Sequence, residues 1–246
     1  MPEPTPLVLL HPFPMDASFW GPVAPLLAAD REIVTPEFPG LGAAPAVDAP
    51  SVDWFADAVA GRIAGMRGGR AAVCGLSLGG YAALSLVARH PDRVAALVLA
   101  DTRAEPDTAE AAEGRHRAAA QVRASGLAAF LDDFVPRLVA PGDEAAWDAV
   151  RAIAEEQDPE AVARALEALA GRPDRLPDLP RIAVPTLVVV GSEDGLTPPS
   201  FSETLAAEIP DAELVVIEGS GHLTALERPQ EFAAAVGAFL RASASP

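Results

Sequence analysis

Apolar positions fall into two patterns along this chain: short unbroken runs, and longer stretches where they recur every three or four residues. Unbroken runs at Leu7–Leu10, 31–35, 71–74, Val94–Ala100, 186–190 and 213–217 predict buried β strands. The helical period appears between them, at 20–29, 51–66, Leu78–Arg89, 200–208 and 229–241. Over 51–66 the side chains of Val52, Phe55, Val59 and Ile63 share one face, and Ser51 can cap the first turn. Pro22 falls in the first turn of its helix, where a missing amide is harmless. Strands that alternate with helices predict an α/β fold, a mostly parallel sheet with helices on both faces.

The alternation breaks between residues 108 and 171, where no strand signal occurs. Leu127, Phe130, Leu131, Phe134, Val135 and Leu138 form a helical stripe. Asp143 and Asp158-Pro159 read as helix starts, and Gly126 and Gly171 as stops. A proline-rich linker, 173–185, leads back to the strands. The expected organisation is a core made of 1–104 and 175–246, with 105–174 inserted after the fourth strand as a helical cap.

Composition narrows the classes of function. A chain of 246 residues, half of them hydrophobic and 22% charged, can bury a substantial core and is not disordered by composition. Its formal charge of −17 opposes binding to nucleic acid or to an anionic membrane surface. All 18 basic residues are arginine, read here as a compositional bias. No apolar run reaches membrane-spanning length, and the first residues have no basic segment of the kind that opens a signal peptide. A soluble cytoplasmic protein is the expectation. Cys74, the single cysteine, has no partner for an internal disulfide and reads as a small core side chain.

Candidate chemistry collects where ligands gather in parallel α/β sheets, beyond the carboxyl ends of the strands. Gly75-Leu76-Ser77-Leu78-Gly79 joins a strand to a helix and puts a serine on a sharp turn that two glycines permit. The fifth strand leads into Gly191-Ser192-Glu193-Asp194, and the sixth into Gly219-Ser220-Gly221-His222. A serine hydroxyl is a weak nucleophile unless a base takes its proton, and a neutral imidazole can do so. A carboxylate must then orient the ring and stabilise the imidazolium. Ser77, His222 and Asp194 are the expected catalytic residues, with Glu193 and Asp101 as alternative acids. Backbone amides of Leu78 and Phe13 are the expected oxyanion donors, since Phe13 alone in Pro12-Phe13-Pro14 retains a hydrogen. Phe130, Phe134 and Trp147 are candidates for the substrate pocket, although helical apolar stripes more often serve as core; Trp20 is a further candidate, as an entrance aromatic, with packing residue as the alternative. His11 reads as a support beside the site rather than the base. No residues have metal-ligand spacing and no Gly-x-Gly-x-x-Gly opens a helix, so neither a metal nor another cofactor is expected.

These motifs resemble the α/β-hydrolase superfamily. The similarity lies in the Gly75-Leu-Ser-Leu-Gly-Gly80 elbow, the Gly191-Ser-Glu-Asp-Gly-Leu-Thr-Pro198 loop, and Gly221-His-Leu-Thr-Ala-Leu-Glu-Arg-Pro229. Within the superfamily the chain is similar to small-molecule carboxylesterases, enol-lactonases and cofactor-free haloperoxidases. The family's oxyanion loop usually reads His-Gly, where this chain has His11-Pro12. The resemblance implies a serine hydrolase that cleaves a small carboxylic ester or lactone through an acyl-serine intermediate. Perhydrolysis or a lyase reaction at the same triad is one alternative; a small-ligand receptor without turnover is another.

Overall fold

The computed structural model describes residues 4–28 and 31–243. Six strands, β1 (Leu7–Leu10), β2 (Ile33–Val34), β3 (Ala71–Leu76), β4 (Val94–Ala100), β5 (Thr186–Gly191) and β6 (Ala212–Ile217), form one sheet in the order β2-β1-β3-β4-β5-β6. Every neighbouring pair is parallel. β1, β3 and β5 are buried along their whole length. Both faces of these strands are covered by helices, which is why they read as continuous apolar runs rather than alternating ones. β6 lies at an edge and exposes Leu214 and Val216.

Among the described residues ten α helices connect and cover the strands: α1 (Ala24–Leu27), α2 (Val52–Ala64), α3 (Leu78–Arg89), α4 (Ala109–Ser125), α5 (Ala128–Phe134), α6 (Glu144–Glu155), α7 (Pro159–Ala170), α8 (Pro199–Glu208), α9 (Thr224–Glu227) and α10 (Pro229–Ser243). Ser51 caps α2 as expected, its hydroxyl accepting from the Trp54 amide at 3.0 Å. The helix expected over 20–29 is instead a 3₁₀ turn, Ala17–Trp20, followed by the single-turn α1. Pro25 lies beyond the first turn of that segment and removes an amide the helix would need, so no continuous helical ladder can form. β2 is shorter than the apolar run that predicts it, and α9 was not foreseen.

Helices α4 to α7 make up the insertion between β4 and β5. Their starts are set by local chemistry: Thr108, Asp143 and Asp158 each accept a hydrogen bond from an amide in the first turn. Gly126 ends α4 with φ of +76°, a conformation a side chain would resist. Side chains tie the insertion to the sheet domain. Gln157 accepts from the Gly42 amide and donates to Asp16, both at 2.8 Å. Arg164 donates to the Val47 carbonyl. These bonds hold the insertion at the carboxyl end of the sheet, over the loops where the candidate residues lie.

Candidate active site

β3 delivers Ser77 directly into the first turn of α3. Ser77 has φ of 53° and ψ of −111°, outside the regions a side chain normally tolerates. Strain of this kind persists only where the surroundings over-determine it. Here the Ser77 amide donates to the Ala100 carbonyl at 3.0 Å, and its own carbonyl accepts from the Thr102 hydroxyl at 3.0 Å and the Tyr81 amide at 3.1 Å. The flanking glycines are sterically required: a methyl group on Gly75 would strike the Gly79 carbonyl, and one on Gly79 the Leu10 carbonyl.

Two further loops converge on the serine. His222 Nε2 lies 2.9 Å from Ser77 Oγ, and His222 Nδ1 lies 2.8 Å from Asp194 Oδ2. A carboxylate can only accept, so Nδ1 carries the ring proton and the bare Nε2 accepts from the serine hydroxyl. His222 and Asp194 are 1% and 3% exposed, while Ser77 keeps 9%. Burial by itself would raise the Asp194 pKa. Electrostatic attraction to the His222 ring, with hydrogen bonds from His222 and Thr197, outweighs burial and holds the group below its ordinary value. Asp194 Oδ1 accepts from the Leu196 and Thr197 amides at 2.8 Å each, and Oδ2 accepts from the Thr197 hydroxyl at 2.8 Å.

Two further carboxylates, Glu227 and Asp101, organise these loops. Glu227 Oε2 accepts from the Gly221 amide at 2.9 Å and the Ala140 amide at 2.8 Å, and Oε1 accepts from the Leu223 amide at 3.1 Å. One side chain therefore holds the residues on either side of His222 and ties them to the insertion. The His222 amide adds a second tie by donating to the Leu138 carbonyl at 3.0 Å. Asp101, one of the alternative acids, does not touch the histidine. It accepts from the Gly191 amide at 3.1 Å and from the Thr224 amide and hydroxyl at 3.1 and 2.6 Å, joining the acid loop to the histidine loop. Its pKa is pushed well up by complete burial and the nearby Asp194 charge. Sequence offered one signal for Glu227, its place in the motif that follows His222. Nothing local signals its tie to the insertion, because Ala140 is 87 positions away.

A profile of the alpha/beta hydrolase family matches residues 7–235. The chain belongs to that family. A curated relative, the pimeloyl-[acyl-carrier protein] methyl ester esterase of Aromatoleum aromaticum, is 33% identical over 247 residues, covering 92% of this chain and 94% of the relative. Among solved structures, a thermophilic esterase from Thermogutta terrifontis superposes with a TM-score of 0.94 at 33% identity, over 98% of this chain and 91% of that one. The enol-lactonase from Burkholderia xenovorans LB400 superposes with a TM-score of 0.88 at 28% identity, over 96% and 92%.

The other candidates of this α/β hydrolase separate into three places. Phe13, Phe130 and Phe134 form one aromatic cluster, with the Phe13 ring 6.1 Å and 5.7 Å from the two insertion rings, which stack on each other at 5.2 Å. No hydrogen bond among the described residues engages the amides of Phe13 or Leu78. Trp147 lines a different groove, with Val139, Ala140 and Asp143, and lies under the Arg151 guanidinium. Trp20 is a correction: it is 1% exposed, packed between Phe19 and Phe232 in the core. The turn at Ala17–Trp20 directs its ring inward, away from solvent. His11 is a support, accepting from the Phe38 amide through Nε2 at 3.0 Å while Nδ1 donates to the Pro12 carbonyl. Burial lowers its pKa and keeps the ring neutral. Cys74 is buried in β3, its thiol pKa raised by burial and by Asp101. Among the described residues no group of side chains could hold a metal ion, and no helix is long and apolar enough to cross a membrane.

Proposed function

We propose that this protein hydrolyses a small carboxylic ester or lactone through an acyl-serine intermediate. The observation that carries the reading is the unbroken hydrogen-bond chain from Asp194 through His222 to Ser77. In this reading His222 Nε2 takes the hydroxyl proton as Ser77 Oγ attacks the ester carbonyl. Negative charge develops on the carbonyl oxygen, and the Leu78 and Phe13 amides donate to it. His222 then passes its proton to the departing alcohol, leaving an acyl-serine. Water, deprotonated by the same imidazole, releases the acid and restores the hydroxyl. Asp194 keeps the ring in the required tautomer throughout and stabilises the transient imidazolium.

The similarity to esterases and to an enol-lactonase over nearly the full chain supports this class of reaction. Residues 105–174 act as the cap in this scheme, with Phe130 and Phe134 facing Phe13 and limiting the size of the substrate. Ser77→Ala tests it: turnover of a short p-nitrophenyl ester should fall by roughly 10⁴-fold or more. An unchanged rate in that variant, or a fluorophosphonate adduct that maps by mass spectrometry to a residue other than Ser77, would overturn the mechanism.

A further inference from the structure

The chain has 35 acidic residues against 18 basic ones, so an average surface cavity should be negative. One cavity, which reaches the acid loop, is the reverse. About 690 Å³ in volume, it lies between α4, α5 and the loops after β4 and β5, with Leu196, two residues from Asp194, in its wall. Phe130 and Phe134 line it as well, so the aromatic cluster that meets Phe13 forms its boundary. Three arginines, Arg103, Arg115 and Arg137, line the same space.

Two of these guanidiniums are held in place by a buried anion. Asp107 Oδ1 accepts from Arg103 at 3.1 Å and pairs with Arg172 at 2.7 Å, while Arg115 binds Oδ2. The Asp107 side chain is almost completely buried and its pKa is held low: burial opposes this, and Arg115 and Arg172 outweigh it. Three guanidiniums on one carboxylate leave two positive charges uncompensated. Arg172 is consumed structurally, bonded to the Leu169 and Glu105 carbonyls and stacked over Tyr81 at 4.4 Å. Arg103 and Arg115 remain partly exposed toward the cavity. Arg137, exposed and without an ion pair among the described residues, offsets the one other acid of the lining, Asp133.

We propose that this cavity binds the free carboxylate of an ester that carries one, so that the preferred substrates are monoanionic half-esters or carboxylated lactones rather than neutral esters. This rests on the ester-hydrolase reading above. A pre-ordered arginine fork suits a carboxylate, because planar donors match its two oxygens. The aromatic and aliphatic walls suit a short apolar body between that carboxylate and the ester. A large polyanion is disfavoured, since outside the cavity it would meet a molecule of charge −17.

The test compares each charged ester with its neutral primary-amide counterpart. Monomethyl adipate against methyl 5-carbamoylpentanoate places the carboxylate in the acyl part; 3-carboxyphenyl butyrate against 3-carbamoylphenyl butyrate places it in the leaving group. In one of these pairs kcat/KM should favour the anion by about tenfold, as expected for a charge-assisted contact. That ratio should collapse toward one in an Arg115→Gln/Arg137→Gln double variant and decline in high salt. Arg181→Gln, the same kind of substitution at a residue 81% exposed and outside the cavity lining, should leave it unaltered. A ratio at or below one in both pairs, or one that the double variant does not move, overturns the proposal. Equilibrium binding of the same compounds to Ser77→Ala keeps the two readings apart. Preferential binding of the anion without turnover in the native protein would sink the hydrolase reading alone, whereas equal binding of anion and amide would sink the carboxylate site.

Discussion

The two sides of the candidate site are built by different means. On the sheet side, position is set by backbone against backbone: methyl groups on Gly75, Gly79 and Gly191 would each run into a main-chain carbonyl. On the insertion side, apart from the backbone contact of 138–140 with the histidine loop, long side chains make the ties, as in the grip of Arg123 on Glu160 and Glu167 or of Gln157 on Gly42 and Asp16. There Gly126 and Gly142 have open space where a methyl would go. Close-packed backbone cannot shift by a fraction of an ångström without colliding, while exposed ion pairs re-form in many geometries. The reacting groups therefore sit on the part of the molecule that tolerates least change, and the residues that would select substrates sit on the part that tolerates most.

Substitutions on each side can break or sharpen that contrast. Gly79→Ala should be the most damaging, costing more than about 4 kcal/mol because carbonyl groups, not flexible side chains, must move. Denaturant unfolding of the purified variant checks this, and near-native stability there would dissolve the contrast altogether. Glu227→Gln should come next. The amide can no longer accept at one of its two positions, leaving a buried N–H group beside His222 without its partner, at a cost of about 1–3 kcal/mol. Its kcat should fall by about tenfold with KM little changed, since the groups disturbed orient the histidine rather than touch substrate. A change confined to KM would argue that Glu227 shapes the pocket instead. Arg123→Gln, on the exposed face where α4 meets α7, should shift Tm by no more than about 3 °C and leave kcat as it was. A larger thermal shift would mean that the insertion is fastened as tightly as the sheet.

Much of the fold was legible because its causes are local. β1, β3, β4 and β5 are central strands with both faces covered, so burial wrote itself into the chain as unbroken apolar runs. Ser51, Asp143 and Asp158 announced helix starts because a capping side chain acts within three residues. Ser77, Asp194 and His222 could be named as candidates because each follows a strand in a loop of recognisable composition. The failures have equally physical causes. Trp20 reads equally as an entrance aromatic or a packing residue, since an aromatic ring beside a loop has no local feature that says which way it turns, and only the fold put it in the core. Trp147 shares its helical stripe pattern with pocket and core residues alike, and only packing put it in a separate groove. The bonds of Thr197 to His222, of Asp101 to Gly191 and Thr224, and of Glu227 to Ala140 join positions brought close by folding, which spacing along a chain does not reveal.

What the sequence alone determined is the order of strands and helices, the inserted helices, and which residues could serve as nucleophile, base and acid, because periodicity, capping and residue chemistry operate over a few positions. Tertiary structure decided that Ser77 and His222, 145 positions apart, stand at hydrogen-bond distance. It also decided that Asp194 rather than Asp101 meets the imidazole, and that Asp107 gathers three arginines beside the site. Such distances depend on strand order and on the packing of the insertion over the sheet, quantities that belong to the whole chain and to no segment of it.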